Sequence, residues 1–370
     1  MDNAVNNVIT VSVRGNDPYD VVIESDFAGL GKRLLELFGA ERKLCVIADK
    51  NVSEIYGDEL VALLKNDHKD VDIISLELGE THKTIETAQK CYSFMIERKY
   101  GRKDVVIALG GGICGDLAGF VAATYMRGIA FVQVPTTLLS MVDSSSGGKT
   151  GVNFEDYKNM IGAFKMPSLV YINTSTLKTL NDREYASGMA EILKAGLIRD
   201  GIFYEWLINN FMEINDREDE YVREMIAKSV NIKKMYVEKD PFEQGERAIL
   251  NLGHTVGHAL EKYTDFKYSH GECVALGTVA AAYLSYKRDC LTMEEYYEIR
   301  DMFVPFSLPI SLENIDIDRV LEYMRSDKKN VSGKIRFILL KKIGKGIICE
   351  EVTDDELREA IGQINFDPND

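Results

Sequence analysis

The chain has 370 residues, of which 45% are hydrophobic and 28% charged, and its formal net charge is -15. This length favours two domains, and the composition is that of a folded protein. The negative charge argues against nucleic-acid binding and against docking on an anionic membrane. The sequence shows no secretion signal, no membrane-spanning apolar run and no Cys-x-x-Cys pair among its six cysteines. We therefore predict a cytoplasmic protein with reduced thiols.

Short β-rich segments alternate with helical ones in the first half of the chain. The predicted strands are 8–13, 19–23, 43–48, 71–78, 104–109, 130–134 and 169–172, and the predicted helices between them include 84–99 and 116–125. Alternating strands and helices indicate a parallel sheet with helices on both faces. We expect residues 1–174 to form an α/β domain of this kind.

Helical periodicity replaces the strand patterns after residue 174. The predicted helices are 186–198, 221–238, 246–263, 275–287 and 293–303, and a late hairpin pairs 335–341 with 347–352. We predict a mainly helical second domain, 175–370, that packs against the first. A cleft between two domains is a favoured place for a small-molecule site.

A glycine-rich turn directly follows the predicted strand 104–109. Residues 110–115 (GGGICG) have the Gly-x-Gly-x-x-Gly spacing, which lets a backbone approach a pyrophosphate at a helix N-terminus. The usual acidic residue about 20 positions downstream is missing. Asp49, just past the strand 43–48, and the neighbouring Asn51 are alternative partners for ribose hydroxyls. We predict dinucleotide binding with an order unlike the usual Rossmann one; the alternative is a turn with a packing role only.

Two polar loops follow the predicted strand 130–134. Thr136 and Thr137 place two hydroxyls at its end, and residues 143–151 (DSSSGGKTG) form a loop of small residues that can wrap an anion. Lys149 adds charge to this loop, and Lys158 and Asn159 follow it. The glycine spacing differs from that of a P-loop, which argues against a nucleoside-triphosphate hydrolase.

Three of the five histidines fall within residues 254–270. His254 and His258 are four residues apart on a predicted helix and share a face, and His270 follows a short loop. Glu191, with Lys194 one turn further on, lies in an apolar helix. A catalytic zinc takes three protein ligands and keeps an open position. We predict a metal site formed by Glu191 and two of the three histidines, and the spacing leaves open which two.

Six segments together resemble the 3-dehydroquinate synthase family of sugar-phosphate cyclases, which are related to glycerol-dehydrogenase-type enzymes. They are GGGICGDLAGFVAATYMRG (110–128), VPTTLLSMVDSSSGGKTGVN (134–153), KNMIGAF (158–164), GMAEILKAG (188–196), LNLGHTVGHALE (250–261) and HGECVALG (270–277). The resemblance extends from about Asp49 to about Lys328. Its departures are small: Ser146 replaces a usual valine, and Cys114 and Cys273 stand where other small residues are common.

The resemblance implies an α/β N-terminal Rossmann-like NAD-binding domain plus an all-α C-terminal domain, usually in a homodimer. It implies zinc or cobalt bound by Glu191, His254 and His270, with His258 beside the substrate. The implied NAD contacts are Asp49, Asn51, Glu80, Lys83, Gly111, Gly112, Asp116, Thr136, Thr137, Lys149 and Lys158. The implied catalytic residues are His258, Lys149, Lys194, Asp143 and Asn159. The remaining substrate contacts are Arg127, Lys233, Arg247, Asn251 and either Lys328 or Lys329.

The family reaction converts 3-deoxy-D-arabino-heptulosonate 7-phosphate to 3-dehydroquinate and phosphate, a lyase step of the shikimate pathway to aromatic amino acids. It proceeds by transient oxidation with NAD, phosphate elimination, reduction and intramolecular aldol closure. The implied lysines and arginines explain how an acidic protein holds a phosphate and a carboxylate. The alternatives are a cyclase that makes an inosose or a valiolone, a net oxidoreductase of the glycerol-dehydrogenase kind and a non-enzymatic binding module. The basic set Lys233, Arg247 and Lys328, with Asn251, favours the dehydroquinate reaction.

Overall fold

The computed structural model describes residues 7–155, 157–326 and 336–366. These residues fall in two compact units: unit 1 comprises Met1–Leu180 and Val222–Phe242, and unit 2 comprises Asn181–Tyr221 and Glu243–Asp370. The predicted domains, 1–174 and 175–370, stay a prediction. Within the ranges given, no helix is both long and apolar enough to cross a membrane.

Unit 1 is built on a mainly parallel sheet. The strands of this unit are β1 (Val8–Val11), β2 (Tyr19–Glu24), β3 (Leu44–Asp49), β4 (Val71–Leu76), β5 (Val105–Gly110), β6 (Ala130–Pro135), β7 (Lys149–Phe154), β8 (Tyr157–Phe164) and β9 (Leu169–Asn173). Seven of them, over the described residues, form a sheet of order β1-β2-β9-β6-β5-β3-β4. Only the β1–β2 pair in this sheet is antiparallel. The predicted parallel sheet is confirmed.

Helices cover both faces of this sheet, as predicted. They are α1 (Leu30–Phe38), α2 (Lys50–Val52), α3 (Asp58–Leu64), α4 (Ile85–Glu97) and α5 (Gly112–Thr124). Successive residues of β5 point to opposite faces. Val106 and Ala108 belong to the core formed with α4 and α5, whereas Val105, Ile107 and Leu109 belong to the core formed with α1 and α3. All of β5 is buried, which places its carboxyl end inside the protein at the glycine turn.

Residues 149–151, the end of the predicted loop 143–151, instead begin an antiparallel hairpin of β7 and β8 that extends to residue 164. The sequence did not predict this hairpin, because most side chains of β8 are exposed and show no alternation of apolar and polar residues. Helix α5 packs closely on it: a Cβ added at Gly119 would overlap the side chain of Thr150. The hairpin is therefore a fixed part of unit 1 that packs against the middle of α5.

Unit 2 is mainly helical. The helices from residue 181 onward are α6 (Asp182–Arg199), α7 (Gly201–Asn209), α8 (Phe211–Asn215), α9 (Asp219–Lys239), α10 (His254–Tyr263), α11 (His270–Lys287), α12 (Met293–Asp301), α13 (Ile317–Ser326) and α14 (Asp354–Gly362), of which α9 belongs mostly to unit 1. Short strands pair β10 (Leu312–Glu313) with β13 (Asn365–Phe366) and β11 (Phe337–Lys342) with β12 (Lys345–Cys349). The predicted late hairpin is confirmed in its described residues.

The predicted continuous helix 246–263 is wrong. Glu246–Asn251 is a 3₁₀ helix, and α10 begins only at His254. Gly253 separates them with a left-handed φ of 78°, which favours glycine. A Cβ there would lie 2.6 Å from the carbonyl oxygen of Val274 on α11. The break lets α10 approach α11 closely and puts His254 at the first position of its helix.

Candidate active site

Three side chains of unit 2 converge from three different helices. Glu191 lies on α6, and His254 and His270 begin α10 and α11. Oε1 of Glu191 is 3.5 Å from Nε2 of His254 and 3.3 Å from Nε2 of His270. A tetrahedral zinc with bonds of about 2.0–2.1 Å separates its ligand atoms by about 3.3 Å. This donor set, one carboxylate and two imidazoles, therefore fits a divalent metal ion in both chemistry and spacing.

The site depends on close contact between α6 and α11. A Cβ at Gly271 would overlap the backbone of Ser187 on α6, and the N–H of Gly271 donates a 3.0 Å hydrogen bond to Oγ of Ser187. Ser269 and Glu272 form a capping box that starts α11 at His270. These contacts fix the backbone of His270 opposite Glu191.

Each proposed ligand also has a hydrogen bond that orients it. Lys194 donates to Oε2 of Glu191, which leaves Oε1 facing the histidines. Nδ1 of His254 lies 3.1 Å from the carbonyl oxygen of Leu252, and Nδ1 of His270 lies 2.7 Å from Oε1 of Glu261. In both rings Nε2 is thus the nitrogen directed at Glu191.

Glu261 was not predicted as a site residue. It follows His254 by seven positions, or two helical turns, so spacing on α10 could have placed it on the same face. Burial alone would lower the pKa of His270, but hydrogen bonds and charge from Glu191 and Glu261 raise that pKa to about 10. A metal ion bound at Nε2 would displace this proton, since metal binding requires a deprotonated ligand atom.

His258 lies beside these residues. Its ring centroid is 5.3 Å from that of His254 and 6.0 Å from that of His270. It also belongs to a second group of possible ligands, with Glu261 and His270. The set with Glu191 has the tetrahedral spacing described above, which favours His254 and His270 as ligands and leaves His258 next to them.

The predicted substrate residues of unit 2 include two buried cations, Lys194 and Arg247, each 3% exposed. Asn251 donates a hydrogen bond of 2.5 Å from Nδ2 to Oε1 of Glu243, a residue that the sequence analysis did not single out. Buried cations of this kind suit an anionic ligand, since burial strengthens charge–charge attraction. Lys328 and Lys329 lie outside the described residues.

In unit 1, the glycine turn joins the end of β5 to α5, which begins at Gly112 rather than at the predicted residue 116. Asp49, at the end of the neighbouring strand β3, caps α2 through a 3.0 Å hydrogen bond from the N–H of Asn51. A Cβ at Gly115 would lie 2.6 Å from Oε1 of Gln133, so this glycine lets α5 pack directly on β6. The predicted strand–turn–helix context of the motif is confirmed.

Buried hydroxyls lie near this turn. Thr136 Oγ1 and Ser144 Oγ are buried and lack a hydrogen-bond partner among the residues that the structure describes. A Cβ at Gly111 would lie 3.1 Å from Cγ2 of Thr137, and one at Gly112 would lie 2.8 Å from Ser144 Oγ. Unsatisfied buried hydroxyls beside a bare helix N-terminus fit a ligand rich in hydrogen-bonding groups and negative charge.

Lys83 is the centre of a polar cluster that includes Asp116 of α5. Its Nζ donates hydrogen bonds of 2.5 Å to Oδ2 of Asp116 and 2.5 Å to Oδ1 of Asn159. Asn153, which was not predicted, accepts from the N–H of Asn159 and donates to Oε1 of Glu80. Burial raises the pKa of Asp116, and the Lys83 ammonium opposes that shift. The structure thus brings together Glu80, Lys83, Asp116 and Asn159, while Lys158 lies 4.0 Å from Glu80.

The other predicted residues of unit 1 lie in two places. Nζ of Lys233 on α9 donates to Oδ1 of Asp143 at 2.6 Å and also to the carbonyl oxygen of Asp143. Lys149 is exposed at the start of β7, and Arg127 is exposed in a turn with a left-handed φ of 68°. Of these predicted basic residues, Lys233 is therefore buried, whereas Lys149 and Arg127 are exposed.

Comparison with known sequences identifies the family. A model of the 3-dehydroquinate synthase N-terminal region matches residues 73–187, and one of the C-terminal region matches residues 188–330. The chain is 41% identical over 343 residues to a 3-dehydroquinate synthase of Ruminiclostridium cellulolyticum, covering 93% of this chain and 95% of that protein.

Comparison with solved structures agrees with this result. A 2-epi-5-epi-valiolone synthase of Streptomyces hygroscopicus subsp. jinggangensis 5008, solved with NAD+ and Zn2+ bound, superposes with a TM-score of 0.87 at 27% identity, over 96% of this chain and 98% of that one. A glycerol dehydrogenase of Schizosaccharomyces pombe shares the fold alone, with a TM-score of 0.65 at 16% identity, over 93% of this chain and 88% of that one. The matched regions and the identity to a relative over nearly the full length of both chains show that this chain belongs to the 3-dehydroquinate synthase family.

Proposed function

We propose that this chain is a lyase that converts 3-deoxy-D-arabino-heptulosonate 7-phosphate to 3-dehydroquinate and phosphate. The observation that carries the proposal is the group of Glu191, His254 and His270, in which Oε1 of the buried Glu191 lies 3.5 and 3.3 Å from the two Nε2 atoms, as in a tetrahedral metal site. The 41% identity to a full-length 3-dehydroquinate synthase supports this substrate over those of the other cyclases.

Unit 1 supplies the residues that would hold NAD. The N-terminus of α5 and the glycine turn would bind the pyrophosphate, and Asp49 would accept hydrogen bonds from ribose hydroxyls. The buried hydroxyls of Thr136 and Ser144 would form hydrogen bonds with the bound NAD. When bound, the oxidised nicotinamide accepts a hydride and later returns it, so the cofactor is not consumed.

Unit 2 supplies the residues that would hold zinc or cobalt. When bound, a divalent cation of this kind is a Lewis acid that lowers the pKa of a coordinated hydroxyl group. The protein holds Glu191 ready for this role because Lys194 already occupies its other carboxylate oxygen. Packing and hydrogen bonds fix both histidine rings before any ligand arrives, which lowers the entropy lost on binding.

The family resemblance supports buried basic side chains as the groups that would bind the phosphate and the carboxylate of the substrate. Lys194 and Arg247 are buried in unit 2, and Lys233 is buried in unit 1 beside Asp143. Because these groups are shielded from water, their attraction for an anion is stronger than that of a surface charge. Asn159 and Asn251 would orient hydroxyl groups by hydrogen bonding.

His258 would move protons during the reaction. It is half-buried and follows His254 by one turn of α10, so its ring lies beside the proposed metal ligands. An imidazole is suited to this task because its ordinary pKa lies near neutrality. The elimination of phosphate and the later ring closure both require a group that accepts a proton and returns it.

We also propose that the chain forms a homodimer and acts in the cytoplasm. The β7–β8 hairpin exposes Phe154, Tyr157, Met160 and Phe164, apolar side chains of the kind that subunit interfaces cover. Light scattering coupled to size exclusion tests the dimer, and Phe164→Asp should shift it toward the monomer if the hairpin contributes. The cytoplasmic location stays a prediction from the sequence.

One assay tests the proposed reaction. The protein is mixed with the heptulosonate phosphate and a small amount of NAD, and the release of inorganic phosphate is followed. We expect phosphate in large excess over NAD, and none from glucose 6-phosphate, which lacks a carboxylate. Glu191→Gln should abolish turnover. Phosphate release that requires an equal amount of NADH formation, or that survives removal of metal, would contradict the proposal.

A further inference from the structure

Glu261 is a carboxylate buried on α10, with 6% of its surface exposed. Such groups are almost never fully buried without a specific partner. Its Oε1 accepts a hydrogen bond of 2.7 Å from Nδ1 of His270 on the next helix. Resting on the metal-dependent function proposed above, we propose that Glu261 is a positioning residue, which holds the His270 ring in the orientation that metal binding requires.

The two histidines differ in how their rings are held. The side chain of His254 is 11% exposed, whereas that of His270 is 31% exposed. Packing therefore restricts the ring of His254 more than that of His270. His254 is also held by a backbone carbonyl, that of Leu252, which no side-chain substitution removes. The orientation of His270 depends on a side chain, and that side chain is Glu261.

Glu261 also connects two of the helices that supply the site. It lies on α10, the helix that begins at His254, and it contacts the first residue of α11. The two helices are in close contact here, since a Cβ added at Gly257 would lie 2.9 Å from the carbonyl oxygen of Cys273. A bond between Glu261 and His270 therefore fixes the ring of one proposed ligand relative to the helix that carries the other.

The chemistry of the bond suits this role. When Nδ1–H donates to a carboxylate, the imidazole is held in the tautomer whose lone pair is on Nε2. Nε2 is the atom that lies 3.3 Å from Oε1 of Glu191. The negative charge of Glu261 also makes the ring a stronger electron donor to a cation. A glutamine at this position would keep an acceptor oxygen and lose the charge.

A different role for Glu261 is that of a metal ligand itself, because His258, Glu261 and His270 also lie within ligand distance of one another. The two roles predict different losses. Removal of a ligand from a three-residue site should abolish stoichiometric binding, as Glu191→Gln should. Loss of a residue that orients a ligand lowers metal affinity by about 10–100-fold and keeps the stoichiometry.

The experiment measures zinc binding to the full-length protein after removal of bound metal, by competition with a chromophoric chelator. We expect Glu261→Ala to weaken binding about 100-fold and Glu261→Gln about 10-fold, both with one zinc per chain. Lys262→Ala, an exposed neighbour on the same helix, should bind like wild type. With Co2+ in place of Zn2+, the visible absorption bands of Glu261→Ala should shift and those of Lys262→Ala should not.

The outcomes separate this inference from the function on which it rests. If the wild type binds one zinc and Glu261→Gln binds it with unchanged affinity and cobalt spectrum, the positioning role is wrong and the metal site stands. Loss of all stoichiometric binding in Glu261→Gln would make Glu261 a ligand and overturn the inference too. A wild type without zinc affinity would overturn both proposals. Since Glu261→Gln preserves shape, it decides the matter even if Glu261→Ala does not fold.

Discussion

Nε2 of His270 lies 3.3 Å from Oε1 of Glu191, although the two residues belong to helices far apart in the sequence. The distance is set by the contact between α6 and α11, where Gly271 approaches the backbone of Ser187 too closely for any Cβ. The proposed metal site therefore depends on a residue that has no side chain and is not one of its proposed ligands.

Gly271→Ala should weaken zinc binding. The added methyl group overlaps the backbone of Ser187, which a rotamer change cannot relieve, so α11 must move away from α6. We expect the dissociation constant for zinc to rise about 10–100-fold, as when support for a ligand is lost. We expect a loss of about 1–3 kcal/mol in the free energy of unfolding. Chelator competition and urea unfolding measure these two effects.

Gly362→Ala is the matched control for this substitution. Gly362 is the last residue of α14, and a Cβ there would have nothing within 4 Å. Alanine favours helix over glycine by about 1 kcal/mol, so this variant should be at least as stable as wild type and should bind zinc normally. Equal zinc affinities for the two variants would contradict the proposed dependence on the α6–α11 contact.

His258→Ala should separate turnover from metal binding. If His258 moves protons without binding the metal, the variant should keep one zinc per chain and lose about 10²–10⁴-fold in kcat. His254→Ala, four residues earlier on the same helix, should lose the zinc itself. Phosphate release and metal analysis of the two purified variants test this difference. Full turnover of His258→Ala with normal zinc content would show that His258 has no such role.

The sheet of unit 1 could be predicted because its strands are short, apolar and bounded by turns. β5 is buried at every position, so its sequence VVIALG is continuously apolar. The β7–β8 hairpin could not be predicted in this way. Its second strand exposes Tyr157, Met160 and Phe164 and so lacks an alternating pattern, and the glycines around Lys149 resemble a loop.

Much of the candidate site could also be predicted, because His254 and His258 share one helix and their spacing is visible in the sequence. The choice between them as ligands needed the family resemblance, since one helical turn places both rings on the same face. Glu261 was missed because a glutamate near the end of a helix resembles a surface residue. Its partner His270 is on another helix, and that contact depends on how α10 and α11 pack.

Ser146→Ala should stabilise the protein. Ser146 stands where the family resemblance leads us to expect valine, it is 5% exposed, and its Oγ has no hydrogen-bond partner in the described part of the chain. A buried hydroxyl without a partner costs about 1–3 kcal/mol. We expect the free energy of unfolding to rise by about 1 kcal/mol, as measured with urea at pH 7. A fall of similar size would show that the hydroxyl makes a stabilising contact.

Glu356 should make a pH-dependent contribution to stability. Partial burial alone would raise the pKa of its carboxyl, but hydrogen bonds from Thr353 and Arg288 lower it below its ordinary value. The N–H of Thr353 donates to Oε2 at 2.8 Å, and Nε of Arg288 donates to Oε1 at 2.8 Å. Because the folded-state pKa is depressed, this stabilisation is complete above the unfolded pKa of about 4.3. It is lost as the pH falls through the folded-state value.

Glu356→Gln tests this contribution. At pH 7 the variant should be less stable than wild type by about 1 kcal/mol, the size of a helix cap, since partial exposure limits the charge–charge part. Below about pH 4 the difference should shrink, because the wild-type carboxyl is then protonated and binds Arg288 more weakly. Glu322→Gln, at an exposed position on α13, is the matched control and should show little change at either pH. Urea unfolding at pH 7 and at pH 3.5 measures both, and a difference for Glu356→Gln that grows toward low pH would contradict the sign argued here.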